Sequence, residues 1–340
     1  MTTEPLVDPA ATTATTATAA PRPPSAATER ATAFVAELLP VAVGLGRALA
    51  DRTSDAAGFA TALGAALDDL ADRTYRDEQS RVAPGIGPVH GVRLPLQTAL
   101  RKSFDRATRR ESPAELLRLA DHLLRDRTME PRWFAIAILD RTLAKEPERS
   151  WQLLRRAGRE AGDWITVDTL AHPFGRGILR EPYRWAELEQ LVISPSRWER
   201  RLVGSTIATM PFADRRLGRE PAVAERGLTI LGTLIGDAEP DVQKALSWAY
   251  RSLAGVDLAA TTKALEAEAR LATRSHDGLR AWVVRDALPK LEPDDAARLR
   301  TIVEGLRRRT GAGPTSKASE LAHRFEGMGL GRQLPEPPLT

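Results

Sequence analysis

The sequence predicts an all-α protein, a HEAT-like helical-repeat solenoid with a concave cationic groove. Apolar residues recur at helical spacing along most of the chain, and short polar or Gly- and Pro-containing breaks separate these stripes. Asp168, Arg201 and Trp248 stand out in the central region at intervals of 33 and 47 positions. These intervals bracket the ~40-residue unit of HEAT-type repeats. An irregular helical bundle is the alternative architecture.

The predicted elements follow one another with short connections and include no strand. The first helix begins near Thr28 and contains Pro40, a potential kink. A second helix covers residues 56–73, and the Gly- and Pro-rich residues 80–94 form a loop. Further helices are predicted over residues 95–109, 113–126, 130–146, 148–160, 162–173, 181–192, 195–210, 220–235, 240–254, 257–273, 276–288, 293–309 and 317–327. Ser112 precedes a proline that begins one of these helices and is expected to cap it.

Three regions are expected along the chain. Residues 1–27 are mostly Ala, Thr and Pro, cannot bury enough apolar surface to fold, and are predicted to be disordered. Residues 28–310 form the helical-repeat domain, and residues 311–340 form a short helix and a loose tail. Glu4 and Asp8, without a basic cluster before an apolar run, make a poor secretion signal. No stretch approaches the ~18 uninterrupted apolar residues of a membrane span, so no membrane partner is expected.

The charge balance allows a polyanionic partner without requiring one. The chain carries 49 Lys and Arg against 45 Asp and Glu, a net charge of +4. All but six of the basic residues are arginine, whose planar fork suits phosphate, although codon bias accounts for most of them. Because there is no cysteine, disulfides and thiol chemistry are excluded and a cytoplasmic location fits. The five histidines lack ligand spacing, so no metal or other cofactor is expected, and a monomer is the simplest state.

Two central segments combine aromatic and charged side chains on one helix face. Trp164 and Asp168 are four positions apart and therefore share a face of their predicted helix. In the next helix Arg201 follows Trp198 by three positions, while the neighbouring Arg200 is expected to face outward. One carboxylate, an indole and a cation are thus predicted to line a single surface.

A third segment adds Lys244, Trp248 and Arg251, which share a face of another predicted helix. Each segment by itself has an ordinary explanation. Asp163 can cap a helix in which the following acid is merely solvated, and Arg201 can form a weak surface ion pair. Trp248 can simply pack against the next repeat.

Together the segments resemble the AlkD-type DNA alkylation repair family, the HEAT-repeat alkylpurine DNA glycosylases. The likeness covers roughly residues 55–290. Five motifs of that family occur in order: G-V-x-x-P at residues 91–95, E-x-R-x-x-A at 130–135, W-x-x-V-D at 164–168, W-x-x-R at 198–201 and Q-K-A-x-x-W at 243–248.

The resemblance implies a DNA repair glycosylase that hydrolyses the N-glycosidic bond of N3- and N7-alkylated purines in double-stranded DNA. It also implies recognition from the backbone side rather than through a base-flipping pocket. By position, Asp168 matches the catalytic aspartate, and Arg201 matches the groove arginine. Trp164 and Trp248 match the tryptophans that flank the deoxyribose of the lesion.

Four residues are the expected DNA contacts: Arg201, Lys244, Arg251 and Trp198. Their cations would hold phosphates and make binding sensitive to salt. No lysine except Lys244 lies among the motif residues, so hydrolysis without strand cleavage is expected.

The predicted residue types suit this chemistry. An alkylated purine already carries positive charge, and breaking its bond to C1′ transfers positive charge to the sugar. A fixed carboxylate stabilises that charge, and each Trp face adds ~0.5–2 kcal/mol by cation–π attraction. Two alternatives stay open, namely a non-catalytic HEAT-like scaffold that binds DNA or protein partners, and a DNA-binding relative that has lost catalysis. A scaffold for proteins would show no salt-dependent DNA affinity, and the non-catalytic relative would release no base.

Overall fold

The computed structural model describes residues 25–83 and 85–328, and in these ranges it contains sixteen α-helices and no strand. The predicted all-α class is therefore confirmed. The helices are α1 (Ala26–Ala48), α2 (Ala56–Asp69), α3 (Arg73–Val82), α4 (Leu94–Ala107), α5 (Pro113–Leu123), α6 (Met129–Thr142), α7 (Pro147–Glu160), α8 (Trp164–Arg180), α9 (Trp185–Gln190), α10 (Arg197–Ala213), α11 (Pro221–Leu234), α12 (Pro240–Ala254), α13 (Leu258–Ser275), α14 (Gly278–Ala287), α15 (Pro293–Ile302) and α16 (Lys317–Gly327). Short 3₁₀ helices cover Leu49–Arg52, Pro182–Arg184, Leu191–Ile193, Leu217–Arg219 and Leu288–Lys290.

Helix α3 is the main departure from the predicted elements. The single helix expected over residues 56–73 ends at Asp69, and α3 follows and runs three residues into the predicted loop. Asp72 begins α3 by accepting the backbone N–H groups of Thr74 and Tyr75 at 3.0 and 3.3 Å. Because α3 is strongly charged and lacks an apolar stripe, periodicity gave no signal for it.

Two other boundaries differ for a tertiary reason. The helices predicted to end at residues 173 and 210 continue to Arg180 and Ala213, although Pro173 and Pro211 lie within them. Both prolines are buried, so packing on neighbouring helices outweighs the hydrogen bond that each proline removes. The helix predicted over 181–192 is instead a run of short 3₁₀ and α-helical turns, and the one predicted over 293–309 ends at Ile302.

The sequence offered Asp163 and Ser112 as helix N-caps, and only Asp163 forms the capping hydrogen bond. Asp163 begins α8 because its Oδ1 accepts the N–H of Thr166 at 2.8 Å. Ser112 does occupy the N-cap position of α5, but its side chain makes no capping hydrogen bond. Ser196 likewise precedes α10 without a side-chain cap, while the Oγ of Ser194 accepts its N–H at 3.1 Å.

Five helices form a central row in which each contacts the next: α6, α8, α10, α12 and α14. Helices α5, α7, α11 and α13 pack against this row, one beside each of α6, α8, α12 and α14. The alternation of a row helix with a helix packed on it is a helical repeat. One apolar cluster runs through the repeats, from Ala42 to Ala318. All three segments with marked residues lie on the central row, in α8, α10 and α12.

The first helix and the 3₁₀ turn after it form a long, mostly apolar segment. Within the described chain, the segment Ala26–Arg52 alone has the length and hydropathy to cross a bilayer, and 17% of its apolar 18-residue window is buried. The sequence-based expectation concerned an uninterrupted apolar run, and Glu37 and Arg47 interrupt this segment. In the fold, α1 packs along α4, and the Ser103 hydroxyl donates to the Val43 carbonyl at 2.7 Å. Pro40 lies within α1, which continues past it to Ala48.

The C-terminal helix α16 lies at the predicted residues 317–327 and packs on the repeats, against α11. The Ser319 hydroxyl donates to Asp237 at 2.8 Å and thereby ties α16 to the turn before α12. The disordered region predicted at residues 1–27 lies outside the described residues up to residue 24, and the loose tail lies outside them from residue 329.

Candidate functional site on the central row

Trp164 and Asp168 lie at the start of α8, both partly exposed. The Trp164 indole packs on a small apolar cluster that is separate from the main core and is formed by Ala83, Ile86, Val89 and Met129. Its Nε1 points to the carbonyl of Val82 at 3.5 Å. The loop between α3 and α4 therefore packs against the Trp164 indole and supports it.

Glu130, at the start of α6, holds that loop in place. It is 2% exposed, and its carboxylate accepts the backbone N–H groups of His90, Gly91 and Val92 at 3.0, 2.8 and 3.3 Å. Gly91 has φ +85°, and a Cβ there would lie 2.5 Å from the Cβ of Arg76. The two upstream motifs at residues 91–95 and 130–135 are thus one structural unit, a glycine turn and the glutamate that binds it.

We expect Glu130→Gln to destabilise the protein by about 1.5–3 kcal/mol, because a neutral amide is a weaker acceptor for three backbone N–H groups. Trp164 should then lose part of its support, and its fluorescence and near-ultraviolet circular dichroism should change before global unfolding. Glu225→Gln, at an exposed glutamate of α11 whose side chain forms no hydrogen bond or ion pair within the described chain, is the control and should leave the melting temperature unchanged. Equal melting curves for both variants would contradict the role of Glu130.

Asp168 is bound by two side chains of the neighbouring helix α10. Its Oδ1 accepts the Arg201 Nε–H at 3.1 Å and the Ser205 hydroxyl at 2.6 Å, and its Oδ2 accepts the Arg201 Nη2–H at 2.8 Å. Because each carboxylate oxygen has two acceptor positions, Oδ1 is saturated and Oδ2 retains one. Arg201 and Ser205 fix the orientation of this carboxylate, and the Asp168 side chain is 22% exposed.

Arg201 has a buried guanidinium, which is engaged in hydrogen bonds that include those to Asp168. Its side chain is 6% exposed, and besides the two bonds to Asp168 its Nη1 donates to the carbonyl of Asp241 at 2.6 Å. Its guanidinium carbon lies 5.9 Å from the centroid of the Trp164 ring. The structure thus brings Trp164, Asp168 and Arg201 together, and it uses Arg201 to hold a carboxylate rather than to present a free cation.

Two residues of α10 differ from the sequence-based picture. Ser205 was not identified as a site residue, although its position four after Arg201 places both on one helix face. Arg200 was expected to face outward, which is wrong. Its side chain is 6% exposed, and it donates to Asp237 at 2.8 Å and to the Ser194 carbonyl at 2.8 Å.

The third segment lies on the next row helix, α12. Lys244 is exposed, and Trp248 is partly buried and packs on the main core. Arg251 donates to the Asp286 carboxylate of α14 at 2.6 Å, and the Ser247 hydroxyl donates to the same carboxylate at 2.6 Å. Asp286 is therefore an acid bound by an Arg and a Ser, as Asp168 is.

Trp198 lies one turn before Arg201 on α10. It is partly buried against the main core, and the guanidinium carbon of Arg197 lies 4.7 Å from its ring centroid. Its side chain is partly exposed.

His172, one turn after Asp168 on α8, is neutral at neutral pH. Burial lowers the pKa of its imidazole and outweighs the opposing effect of the Asp140 carboxylate. The charged groups that act on His172 are Asp140, Arg176 and Asp168, and Arg176 is paired with Asp140. Within residues 25–83 and 85–328, no group of three or more His, Asp or Glu side chains is arranged to hold a metal ion.

The fold and this site define a helical-repeat protein whose central row holds an oriented carboxylate beside an indole. The chain matches the model of the DNA alkylation repair enzyme family over residues 63–291 and belongs to that family. The matched span contains the three segments and both upstream motifs. No curated protein and no solved structure matches the chain. Family membership supports a role in DNA alkylation repair, with DNA as the partner.

Proposed function

We propose that this protein is a DNA glycosylase that hydrolyses the N-glycosidic bond of N3- and N7-alkylated purines in duplex DNA. The observation that carries the proposal is the Asp168 carboxylate, fixed by Arg201 and Ser205 with one acceptor position left on Oδ2, beside the Trp164 indole. A buried arginine and a hydroxyl that orient a partly exposed carboxylate are an arrangement for stabilising localised positive charge.

The reaction begins with heterolysis of the bond between C1′ and the purine nitrogen. The base leaves with the bonding electron pair, which neutralises its charge, so no side chain has to protonate it. Positive charge then resides on C1′ and the ring oxygen of the sugar, where Asp168 Oδ2 and the Trp164 ring face stabilise it. Water adds its oxygen to C1′ and loses one proton, to Oδ2 or to solvent. The products are the free alkylpurine and an abasic site.

The residues of α12 complete the proposed interface with the DNA backbone. Lys244 is exposed and has no ion-pair partner among the described residues, so it is available for a phosphate. Trp248 would flank the deoxyribose opposite Trp164, and Arg251 would reach a phosphate from its position against Asp286. Strand cleavage through an imine requires a lysine at C1′, and Lys244 is proposed to contact phosphate instead.

Release of free bases from alkylated DNA tests the proposal. Duplex DNA treated with a methylating agent is incubated with the full chain, and 7-methylguanine and 3-methyladenine are measured by mass spectrometry. Release of either base, with strands that remain intact until alkali is added, is the expected result. No release above the spontaneous rate would favour a non-catalytic scaffold or DNA-binding relative, and these two differ in salt-dependent DNA affinity.

Trp164→Ala should slow base release by about 2- to 30-fold, because one cation–π contact of ~0.5–2 kcal/mol is lost from the transition state. Trp164→Phe keeps an aromatic face and should lose less. The measurement is the single-turnover rate on DNA with one 7-methylguanine. Tyr183→Ala removes an exposed aromatic after the far end of α8 and should leave the rate unchanged. Equal rates for Trp164→Ala and wild type would remove the indole from the mechanism.

A further inference from the structure

The segment between α15 and α16, residues 303–316, is docked on the central row and is called the C-terminal arm here. It lies beyond residue 291, where the family match ends. Arg285 of α14 donates to the Val303 carbonyl at 3.0 Å, and the Thr315 N–H donates to the Gly236 carbonyl at 2.8 Å. A Cβ at Gly278 would lie 2.0 Å from the Arg307 carbonyl oxygen, so the arm approaches α14 closely.

Arg308 places the arm next to the site. Its Nη1 donates to Gln243 Oε1 at 2.9 Å, and its guanidinium carbon lies 5.5 Å from the ring centroid of Trp282. Gln243 precedes Lys244 and lies two positions after Asp241, whose carbonyl accepts a hydrogen bond from Arg201 at 2.6 Å. The arm therefore reaches the same end of α12 that Arg201 contacts.

Several cations at this junction lack an ion-pair partner, whereas its carboxylates Asp237 and Asp277 are bound by Arg200 and Arg280. Among the described residues, no carboxylate lies within ion-pair distance of the following cations: Lys244, Arg285, Arg307, Arg308 and Arg309. The neighbouring Arg200, Arg201, Arg251 and Arg280 are all paired. Burial and, to a lesser extent, the nearby Arg307 guanidinium lower the pKa of Arg285. Docking thus holds like charges together, an arrangement that a polyanion would relieve.

We propose that the C-terminal arm is a second phosphate-binding strip, which extends the DNA interface from Lys244 along Arg308 and Arg307 to the backbone beyond the lesion. This inference rests on the proposed function for the identity of the polyanion. Arginine forks bind phosphate oxygens in pairs, and Arg308 is already oriented by Gln243 and Trp282. Neutralising phosphates releases condensed counterions, which adds affinity at every DNA sequence.

Duplex binding by fluorescence anisotropy over a series of salt concentrations tests the arm. Arg307→Gln/Arg308→Gln should weaken binding roughly tenfold at low salt and reduce the slope of log K against log salt by about 1.8, or about 0.9 per lost phosphate contact. Arg307→Gln alone leaves the bond between Arg308 and Gln243 and should reduce the slope by about 0.9. Arg215→Gln/Arg216→Gln, at exposed arginines after the opposite end of α10, removes the same charge and should change neither quantity.

The outcomes separate the arm from the glycosylase proposal. Slopes equal to wild type in the double and single arm variants overturn the arm, whether or not wild type releases bases. A reduced slope in the arm variants with an unchanged control supports the arm. If wild type shows this slope and yet releases no base from methylated DNA, the arm stands and the glycosylase is overturned. An equal loss of slope in the control pair would show that the slope depends on net charge in general, and it would overturn the proposal for the arm.

Discussion

Asp168→Asn should lower the single-turnover rate of base release from methylated duplex DNA about 10²- to 10³-fold, the range measured when one preorganised electrostatic group is removed. The amide keeps the size of the side chain but lacks the negative charge that opposes the charge on C1′. Its Oδ1 can still accept the Ser205 hydroxyl, while its NH₂ group faces an Arg201 donor. A stability loss of about 1–3 kcal/mol is therefore expected as well, and rates are compared well below the melting temperature.

Asp286→Asn is the matched control for this prediction. Asp286 is also an acid bound by one serine and one arginine across the central row, through Ser247 at 2.6 Å and Arg251 at 2.6 Å. The variant makes the same change of charge on α14 and likewise alters the contacts of one serine and one arginine. It should keep base release within about threefold, because a freed Arg251 affects binding rather than the charge at C1′. Similar losses in both variants, or an undiminished rate in Asp168→Asn, would refute the assignment of Asp168.

Arg201→Lys should slow base release about 10- to 100-fold while it retains the positive charge. An ammonium group cannot donate simultaneously to both oxygens of Asp168 and to the Asp241 carbonyl in the fixed fork that the guanidinium provides. Asp168 Oδ2 is then no longer held in one orientation, and a positional error at the reacting centre is costly. The loss should appear in the rate at saturating enzyme rather than in DNA affinity.

The slope of log K against log salt distinguishes positioning from phosphate binding at Arg201. If Arg201 acts through Asp168, Arg201→Ala leaves the slope unchanged. If its main contact is a phosphate, Arg201→Ala reduces the slope by about 0.9. Arg200→Lys is the control, since Arg200 is equally buried and pairs with Asp237. It should lower stability by about 1.5–3 kcal/mol and leave the chemical step intact.

Much of the secondary structure could be predicted from local sequence patterns. Apolar periodicity and breakers located thirteen of the helices to within a few residues, including α12 at residues 240–254 and α16 at 317–327. Helix α3 was not predicted because half of its residues are charged and it has no apolar stripe. The extensions of α8 and α10 through Pro173 and Pro211 depend on burial between neighbouring helices, and no local pattern records that burial.

The residue types of the candidate site, and part of its geometry, could also be predicted from the sequence. Trp164 and Asp168 had to share a face because they lie four apart on one helix. The supports of that pair come from distant segments: Ser205 lies on another row helix, and Glu130 binds a loop that lies 38 to 40 positions before it. Those contacts depend on how the helices are rotated about their axes, which a single sequence does not specify.

Arg200 and Arg201 show most directly what the sequence determines and what the tertiary structure adds. The sequence by itself determined that α10 would carry two adjacent arginines after a tryptophan, within a helical-repeat chain. Only the tertiary structure decided that Arg200 binds Asp237, near α12, while Arg201 binds Asp168 on α8. Adjacent helical residues point about 100° apart, so they meet different neighbours, and packing of the central row fixes which neighbour carries the acid.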